Sequence, residues 1–380
     1  HFLTNLRTRI VVIKMNVPKL RFKKFTMEWE YKIFDDLITN KSNIYNIQKD
    51  SNNYKCIELE NIKPNLGMLN GYFNSVDQKS SKNYFFKNEI LFGKLRPYLK
   101  KYWFAKFDGV CSTEFWVLKS KDTQKITNKF LYYIIQSNYF LQLCNLSTGS
   151  KMPRADWSYI KEQSIAIPIL SEQEKIANTL ELLDKKIELQ LKKIEALKLY
   201  KLCILKYIFS SATIKTKLKS ISNIKKGEQI NSEELSKSGS YYMLNGGTEP
   251  SGYLEKYNTL ENTITISEGG NSCGYVKYNK CKFWCGGHCY SIENKMIDNH
   301  YLYQSLKFNE NKIMRLRIGS GLPNIQKKDL ENFELSIHEK NDQHKIAKLL
   351  IKCDTKIELE QDLLNLLLNL KKGLMQNMFV

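Results

Sequence analysis

Ser171-Glu-Gln-Glu-Lys-Ile-Ala-Asn-Thr-Leu-Glu-Leu-Leu-Asp-Lys-Lys-Ile-Glu-Leu189 returns 170 residues later as Asn341-Asp-Gln-His-Lys-Ile-Ala-Lys-Leu-Leu-Ile-Lys-Cys-Asp-Thr-Lys-Ile-Glu-Leu359. Gln173, Lys175, Ile176 and Ala177 fall on Gln343, Lys345, Ile346 and Ala347, and the run Lys186-Ile-Glu-Leu189 is repeated as Lys356-Ile-Glu-Leu359. Followed outward, the same offset holds without a gap over 149–209 and 319–379. Gly149, Ser150 and Pro153 meet Gly319, Ser320 and Pro323; Asp184, Leu197, Lys201 and Phe209 meet Asp354, Leu367, Lys371 and Phe379. Chance does not keep register over such a length, so the chain carries an internal duplication.

Each copy has one internal order: a loop (149–153 or 319–323), a short apolar strand (Ile165–Ile169 or Phe333–Ile337), then a helix. Ser171 and Glu174 have the spacing of a capping box; in the second copy Asn341 can cap, but His344 stands where the glutamate was. Both helices carry heptads. Ile176, Leu180, Leu183, Ile187, Gln190, Ile194, Leu197, Lys201, Ile204 and Ile208 follow the alternating four–three spacing of a coiled-coil seam. Ile346, Leu350, Cys353, Ile357, Glu360, Leu364, Leu367, Lys371, Leu374 and Met378 repeat it, with polar interruptions at equivalent places. One amphipathic helix alone would indicate only the packing face of its own domain. Two matched seams point to mutual pairing. The linker 210–217 is short, so the second domain begins where the first helix ends and the pair must run antiparallel. A helix of about 39 residues is about 58 Å long. Gln190 and Glu360, both near mid-helix, are expected to lie close together.

The fold class expected is α+β: two mixed α/β domains separated by an antiparallel pair of long coiled-coil helices, with pseudo-twofold repetition. The expected boundaries are a leader 1–14, a first domain 15–146, a loop and strand 147–170, a helix 171–209, a linker and second domain 210–316, a second loop and strand 317–340 and a second helix 341–380. A chain of 380 residues with 42% hydrophobic and 12% aromatic residues can bury more than one core. The leader begins with His1 ahead of Met15 and is given no functional weight. Its apolar stretch Ile10–Ile13, flanked by Arg9 and Lys14, is too short for a secretory signal. No apolar run of about 18 residues is present, so no membrane association is expected and the location expected is cytoplasmic.

The formal charge of +20, from 59 Lys and Arg against 39 Asp and Glu, admits two readings. One is a polyanionic partner, because neutralising phosphates releases condensed counterions. The other is the Lys, Asn and Ile bias of an AT-rich genome. The nine cysteines are expected to be reduced thiols. Cys273, Cys281, Cys285, His288 and Cys289 raise the question of zinc, but they interrupt an aromatic, strand-like run instead of forming paired knuckles, so ordinary packing is preferred and no metal is expected.

The two domains differ. In the first, the run 92–107 holds Lys94, Arg96, Lys100, Lys101 and Lys106 without an acid in the set, with Tyr98 and other aromatics interleaved. Such a pattern can contact phosphates and read guanine through arginine; it is equally the pattern of a hairpin with a solvated basic face. In the second, Asn245-Gly-Gly-Thr248 and Ser267-Glu-Gly-Gly-Asn271-Ser272 are polar glycine-rich loops that lack the residues of a phosphate-binding loop or dinucleotide fingerprint. Their glycines permit tight turns or a close backbone approach. Candidate DNA contacts are Lys94, Arg96, Tyr98, Lys100, Lys101 and Thr113 in the first domain, and Asn245, Thr248, Asn271, Ser272 and His288 in the second; a structural role competes for each. The expected helix-pair interface is Ile176, Leu180, Leu183, Ile187, Gln190, Ile194 and Leu197 against Ile346, Leu350, Ile357, Glu360, Leu364 and Leu367.

A basic chain with a duplicated strand–helix element and two unlike domains resembles the specificity subunits of type I restriction-modification systems. Val17-Pro-Lys-Leu-Arg-Phe22 with Trp29 is similar to their N-terminal pattern, and Ile167-Pro-Ile-Leu-Ser-Glu-Gln-Glu-Lys-Ile176 to the motif that opens their long helices. Ile90–Pro97 with Ser112–Phe115, and Asn245–Thr248 with Gly286–His288, resemble two kinds of target-recognition domain. The second copy departs at His338, which replaces the proline. The resemblance implies double-stranded DNA as ligand, each recognition domain reading one half of a bipartite, asymmetric site and the helices setting the spacer. It also implies two methyltransferase subunits docked on the helices, carrying S-adenosylmethionine, and a restriction and translocation subunit. No cofactor is expected on this chain, and no catalytic residue: it has no Asn/Asp-Pro-Pro-Tyr/Phe motif, Walker motif or nuclease cluster. A stand-alone DNA enzyme would need those motifs. A scaffold binding only protein would explain the helices but not the charge.

Overall fold

The computed structural model describes residues 17–380 except 47, 49, 51, 147–151, 320 and 322. The leader 1–14 and parts of both duplicated loops therefore lie outside the described residues. The fold divides into two compact units, one formed by the chain up to Leu191 together with Asp362–Val380, the other by Lys192–Gln361.

The first unit opens with β1 (Glu30–Ile33), β2 (Ile38–Thr39), β3 (Ile44–Tyr45), β4 (Lys55–Ile57) and β5 (Phe73–Asn74). Next come β6 (Lys82–Phe85), β7 (Ile90–Gly93), β8 (Tyr102–Phe104), β9 (Gly109–Ser112) and β10 (Phe115–Ser120). They build a five-stranded sheet of order β3-β6-β9-β4-β5 and a four-stranded sheet of order β8-β7-β10-β2. The basic run forms the β7–β8 hairpin, with Phe92 opposite Tyr102. The helical segment that follows is two helices, α1 (Asn128–Ile134) and α2 (Asn138–Asn145), because Ser137 accepts from the Phe140 amide and starts a new N-terminus. Strand β11 (Ser164–Ile167) of the duplicated element pairs antiparallel with β1, and α3 (Leu170–Ser210) follows.

The second unit holds β12 (Ile214–Lys217), β13 (Ser222–Lys226), β14 (Tyr241–Leu244), β15 (Gly252–Leu254), β16 (Thr263–Ser267), β17 (Val276–Asn279), β18 (Trp284–Cys285) and β19 (Cys289–Asn294). Their sheets have the orders β13-β19-β16-β17 and β15-β14-β18. After α4 (Asn299–Phe308), the second duplicated strand β20 (Glu334–Ile337) pairs antiparallel with β12, as β11 does with β1. The chain closes in α5 (Lys340–Asn377).

Both long helices start one residue before the expected cap. In α3 the amides of Glu172 and Gln173 turn back onto the Ile169 carbonyl, and in α5 those of Asp342 and Gln343 onto Glu339, so Ser171 and Asn341 lie inside the first turn. No proline interrupts α3 or α5, and the only glycine is Gly373 near the end of α5. The stripe of apolar residues does the rest, since a helix this long is held by burying one face.

Each unit contains its own stretch of the helix pair, and each stretch is antiparallel. In the first, Ile176, Ala177 and Leu180 share a core with Trp29, Phe130, Phe140 and Met378, while Asp184 meets Lys371 at 2.7 Å. Numbers rise along α3 as they fall along α5. In the second, Lys193 meets Glu360 at 2.8 Å, Lys201 meets Asp354 at 2.5 Å, and His338 Nε2 lies 3.1 Å from the Ile208 carbonyl. Leu205, Phe209, Ala347 and Leu350 enter the core beside Ile264, Ile292 and Tyr301. Ile176, Leu180, Leu183, Ile187, Gln190, Ile194, Leu350, Glu360 and Leu364 are buried; Leu197, Ile346, Ile357 and Leu367 are half-buried. Gln190 belongs to one unit and Glu360 to the other.

Candidate nucleic-acid interface

In the first unit the site grows from the end of β7. Beyond Gly93 the chain leaves the sheet, and its course is fixed by three backbone hydrogen bonds. The Lys94 amide donates to the Glu114 carbonyl at 2.9 Å, the Ala155 amide to the Lys94 carbonyl at 2.9 Å, and the Arg96 amide to the Pro153 carbonyl at 2.8 Å. Leu95 bridges to Arg154. Arg154 grips Glu114 through Nε and a terminal amine at 3.1 and 3.0 Å. Arg96 itself is exposed and left-handed, with φ of 51°, immediately before Pro97.

The second unit repeats this bracket at the end of β16. The Glu268 amide donates to the His288 carbonyl at 2.9 Å, the Ile325 amide to the Glu268 carbonyl at 2.8 Å, and the Gly270 amide to the Pro323 carbonyl at 3.0 Å. Gly269 bridges to Asn324. Ala155 and Ile325, Pro153 and Pro323, and Arg154 and Asn324 are all 170 residues apart, so these are duplicated partners. By the same hydrogen bonds, Lys94 corresponds to Glu268, Arg96 to Gly270 and Glu114 to His288. Gly270 is also left-handed, with φ of 75°.

Around the second bracket lies a cleft that brings together Asn245, Asn271, Ser272 and His288, four of the candidate contacts. Two glycines make it possible. A Cβ on Gly246 would sit 3.0 Å from the His288 carbonyl and φ there is +84°; one on Gly286 would sit 2.6 Å from the Asn245 side-chain oxygen. That oxygen accepts from the His288 amide at 3.0 Å. Glu268 forms part of the wall. Its Oε1 accepts from Lys226 at 2.7 Å and from the Tyr290 hydroxyl at 3.0 Å. Its Oε2 is buried without a hydrogen bond among the described residues, 3.8 Å from His288 Nδ1. Burial, then the neighbouring carboxylate, pushes the Tyr290 hydroxyl up, so it stays a donor at neutral pH. Thr248 is exposed outside this cleft, and its carbonyl accepts from Lys277 at 3.3 Å.

The first-unit candidates scatter more. Lys94 and the exposed Thr113 line a cleft with Asn40–Ile44, Asn83 and Phe86. Arg96 and Tyr98 are exposed and Lys100 is half-buried. Lys101 is drawn elsewhere: its ammonium donates to the Leu59 carbonyl at 2.6 Å, because the hairpin turns that side chain onto the domain. Sequence reasoning missed the 40–44 segment, whose place in one cleft with Lys94 has no local signal. It also passed over Glu268, which stands inside the quoted loop but carries the sign opposite to DNA-binding residues. Cys285 and Cys289 are buried at the strand ends flanking Gly286–His288. Among the described residues no group of three His, Cys, Asp or Glu is placed to hold a metal ion. No helix of the described residues is long and apolar enough to cross a membrane.

A family model for the type I restriction modification DNA specificity domain matches residues 27–199 and again 214–369. A putative type I specificity subunit of Mycoplasma genitalium is 35% identical over 148 residues, 38% of either chain. One of Mycoplasma pneumoniae is 35% identical over 158 residues, 40% of this chain and 42% of that one. The matched segments thus span about two fifths of these curated relatives. Among solved structures, the S subunit of a type I restriction-modification system from M. genitalium superposes with a TM-score of 0.69 at 21% identity, covering 96% of this chain and 99% of that one. At that identity the likeness is one of fold.

Proposed function

Since the chain belongs to the type I restriction-modification DNA specificity family, we propose that it is the subunit that reads DNA sequence for such a complex, each unit recognising one half of a bipartite, asymmetric site. The observation that carries this reading is the pair of brackets: one backbone framework, built twice from duplicated residues, presents unlike side chains at 94–96 and at 268–270. Two readers on one framework, with different surfaces, suit two different half-sites. The helix pair sets the unread spacer and docks two methyltransferase subunits, which carry S-adenosylmethionine; a restriction and translocation subunit joins them in the cytoplasm. Methyl transfer and cleavage belong to those partners, and this chain supplies binding and register.

The test is to express the chain with its methyltransferase in a host lacking other methylation and to map modified bases genome-wide. A split motif with two unlike halves is expected; methylation without a motif, or of a continuous site, ends the reading. A second measurement addresses the basic hairpin. Replacing Lys94 or Lys100 with Ala is expected to weaken DNA binding and, where the lost contact is a phosphate, to lower the slope of log affinity against log salt by about 0.9. Lys101→Ala should leave that slope alone, because its ammonium is bound to Leu59. Equal slopes in all three variants and the parent would remove the hairpin from the interface.

A further inference from the structure

The two brackets place opposite chemistry at one structural position. In the first unit the reading edge is Lys94-Leu95-Arg96, which offers only donors; in the second it is Glu268-Gly269-Gly270, where the sole ionised side chain is an acceptor. The backbone makes the same hydrogen bonds in both and turns left-handed at the same residue. Glycine is the ordinary occupant of that conformation, and the second unit uses it. The first unit instead holds Arg96 there, although left-handed backbone costs a non-glycine residue about 1–2 kcal/mol and the following Pro97 restricts it further. Arg96 makes no side-chain hydrogen bond or ion pair among the described residues that would repay this strain. A strained, exposed arginine with no partner among the described residues is placed for something outside them.

In the second unit the charged side chain of the bracket, at the position equivalent to Lys94, is Glu268. Nine-tenths of it is buried, at 8% exposure, and one oxygen is already satisfied by Lys226 and Tyr290. The other, Oε2, is buried with no hydrogen bond among the described residues and lies 3.8 Å from Nδ1 of His288, a side chain 64% exposed that lines the same cleft as Glu268. A buried acceptor left over in this way can take a donor from a ligand. In the major groove guanine shows two acceptors, which arginine grips in a bidentate pair. Cytosine and adenine show an exocyclic amino group, which a carboxylate accepts.

We propose that Arg96 and Glu268 are the specificity-determining residues of the two half-sites: Arg96 selects a guanine in the first, and the Glu268 carboxylate selects a base with a major-groove amino group, cytosine or adenine, in the second. The inference rests on the DNA-reading function above and deepens it. Lys226 and Tyr290 are positioning residues, holding the carboxylate by Oε1 so that Oε2 is presented. An entering amino group takes the place beside Oε2 now held by the His288 ring edge, and an exposed ring yields readily.

The experiment is selection of bound sequences from a random-sequence duplex library by the full chain in complex with its methyltransferase, for the parent, Arg96→Gly and Glu268→Gln. Arg96→Gly suits the left-handed backbone and so removes the guanidinium without threatening the fold. It is expected to abolish preference at one guanine of the first half-site, by about tenfold or more, and to leave the second half intact. Glu268→Gln is expected to relax one cytosine or adenine position of the second half by a similar factor and leave the first intact. If Glu268→Gln fails to assemble, Arg96→Gly decides alone. A parent motif that both variants keep unchanged overturns the inference while sparing the DNA-reading function. So does relaxation in the wrong half. A parent complex that selects no motif overturns the DNA-reading function itself, and this inference with it.

Discussion

Excising one heptad from each long helix, Ile187–Lys193 together with Ile357–Leu363, is expected to shorten the spacer between half-sites by about three base pairs while leaving both half-sites unchanged. Seven residues rise about 10.5 Å along a helix, and a base pair rises about 3.4 Å. Seven residues are also nearly two full turns, so the seam keeps its face. The cut preserves the alternation as well. Leu183 is followed four residues later by Ile194 instead of Ile187, and Cys353 by Leu364 instead of Ile357. The segments are repeat equivalents, and their removal takes out both partners of the Lys193–Glu360 ion pair, so neither charge is stranded. Removing a heptad from one helix alone would throw the two seams out of register and should prevent assembly. Methylation mapping of the doubly shortened complex reads the spacer directly. A motif with its parental spacing would mean that the helices do not measure the site.

Lys371→Ala should destabilise the chain by about 3 kcal/mol, and its repeat equivalent Lys201→Ala by about 1 kcal/mol. The two lysines make the same bond, Lys371 to Asp184 at 2.7 Å and Lys201 to Asp354 at 2.5 Å. Their surroundings differ. Lys371 is 10% exposed, also donates to the Gln136 side chain at 3.0 Å and lies over the Tyr133 ring. Removing it strands Asp184, 23% exposed, beside the Tyr133 hydroxyl, which donates to it and which burial keeps protonated. Lys201 is 14% exposed and its partner Asp354 34%, so water takes over much of the lost interaction. Lys371→Met with Asp184→Leu should recover only part of the loss. A packed apolar pair can replace a buried ionic one, but the Tyr133 hydroxyl and the Gln136 side chain lose the partners that these two supplied. Denaturant unfolding of the full chain, followed by fluorescence and circular dichroism, measures the differences. Equal costs for the two lysines would show that burial does not govern these bonds.

The duplication and both seams could be read directly from residue order, because each is a periodic signal, and a hairpin was one of the two readings that the basic run allowed. A heptad states which face of a helix is apolar whatever lies opposite it, and the short linker at 210–217 leaves the chain one direction in which to return. The antiparallel course found within each unit follows from that. Arg96 precedes Pro97 in the sequence, but only the dihedral angle shows that the backbone there is left-handed.

The candidate interface was only partly legible. Asn245, Asn271, Ser272 and His288 are brought into one cleft by the fold, whereas Lys101, alike in type and setting to Lys100, turns inward to Leu59. Charge and spacing cannot separate two neighbouring lysines whose fates depend on a carbonyl over forty residues away. Glu268 was hidden for the same reason. Its role depends on Lys226, Tyr290 and the bracket to Ile325, each brought to it by pairing between distant strands and loops.

Residue order alone therefore determined that the chain is a duplicated, two-domain, helix-paired protein with an excess of positive charge, since period, register and composition are properties of a string. Tertiary structure alone decided which side chains face one another across a cleft, which ammonium is spent on a backbone carbonyl and which carboxylate oxygen is left without a donor. Those are matters of distance between groups remote in the chain, and hydrogen bonds and burial act on distance, not on sequence separation.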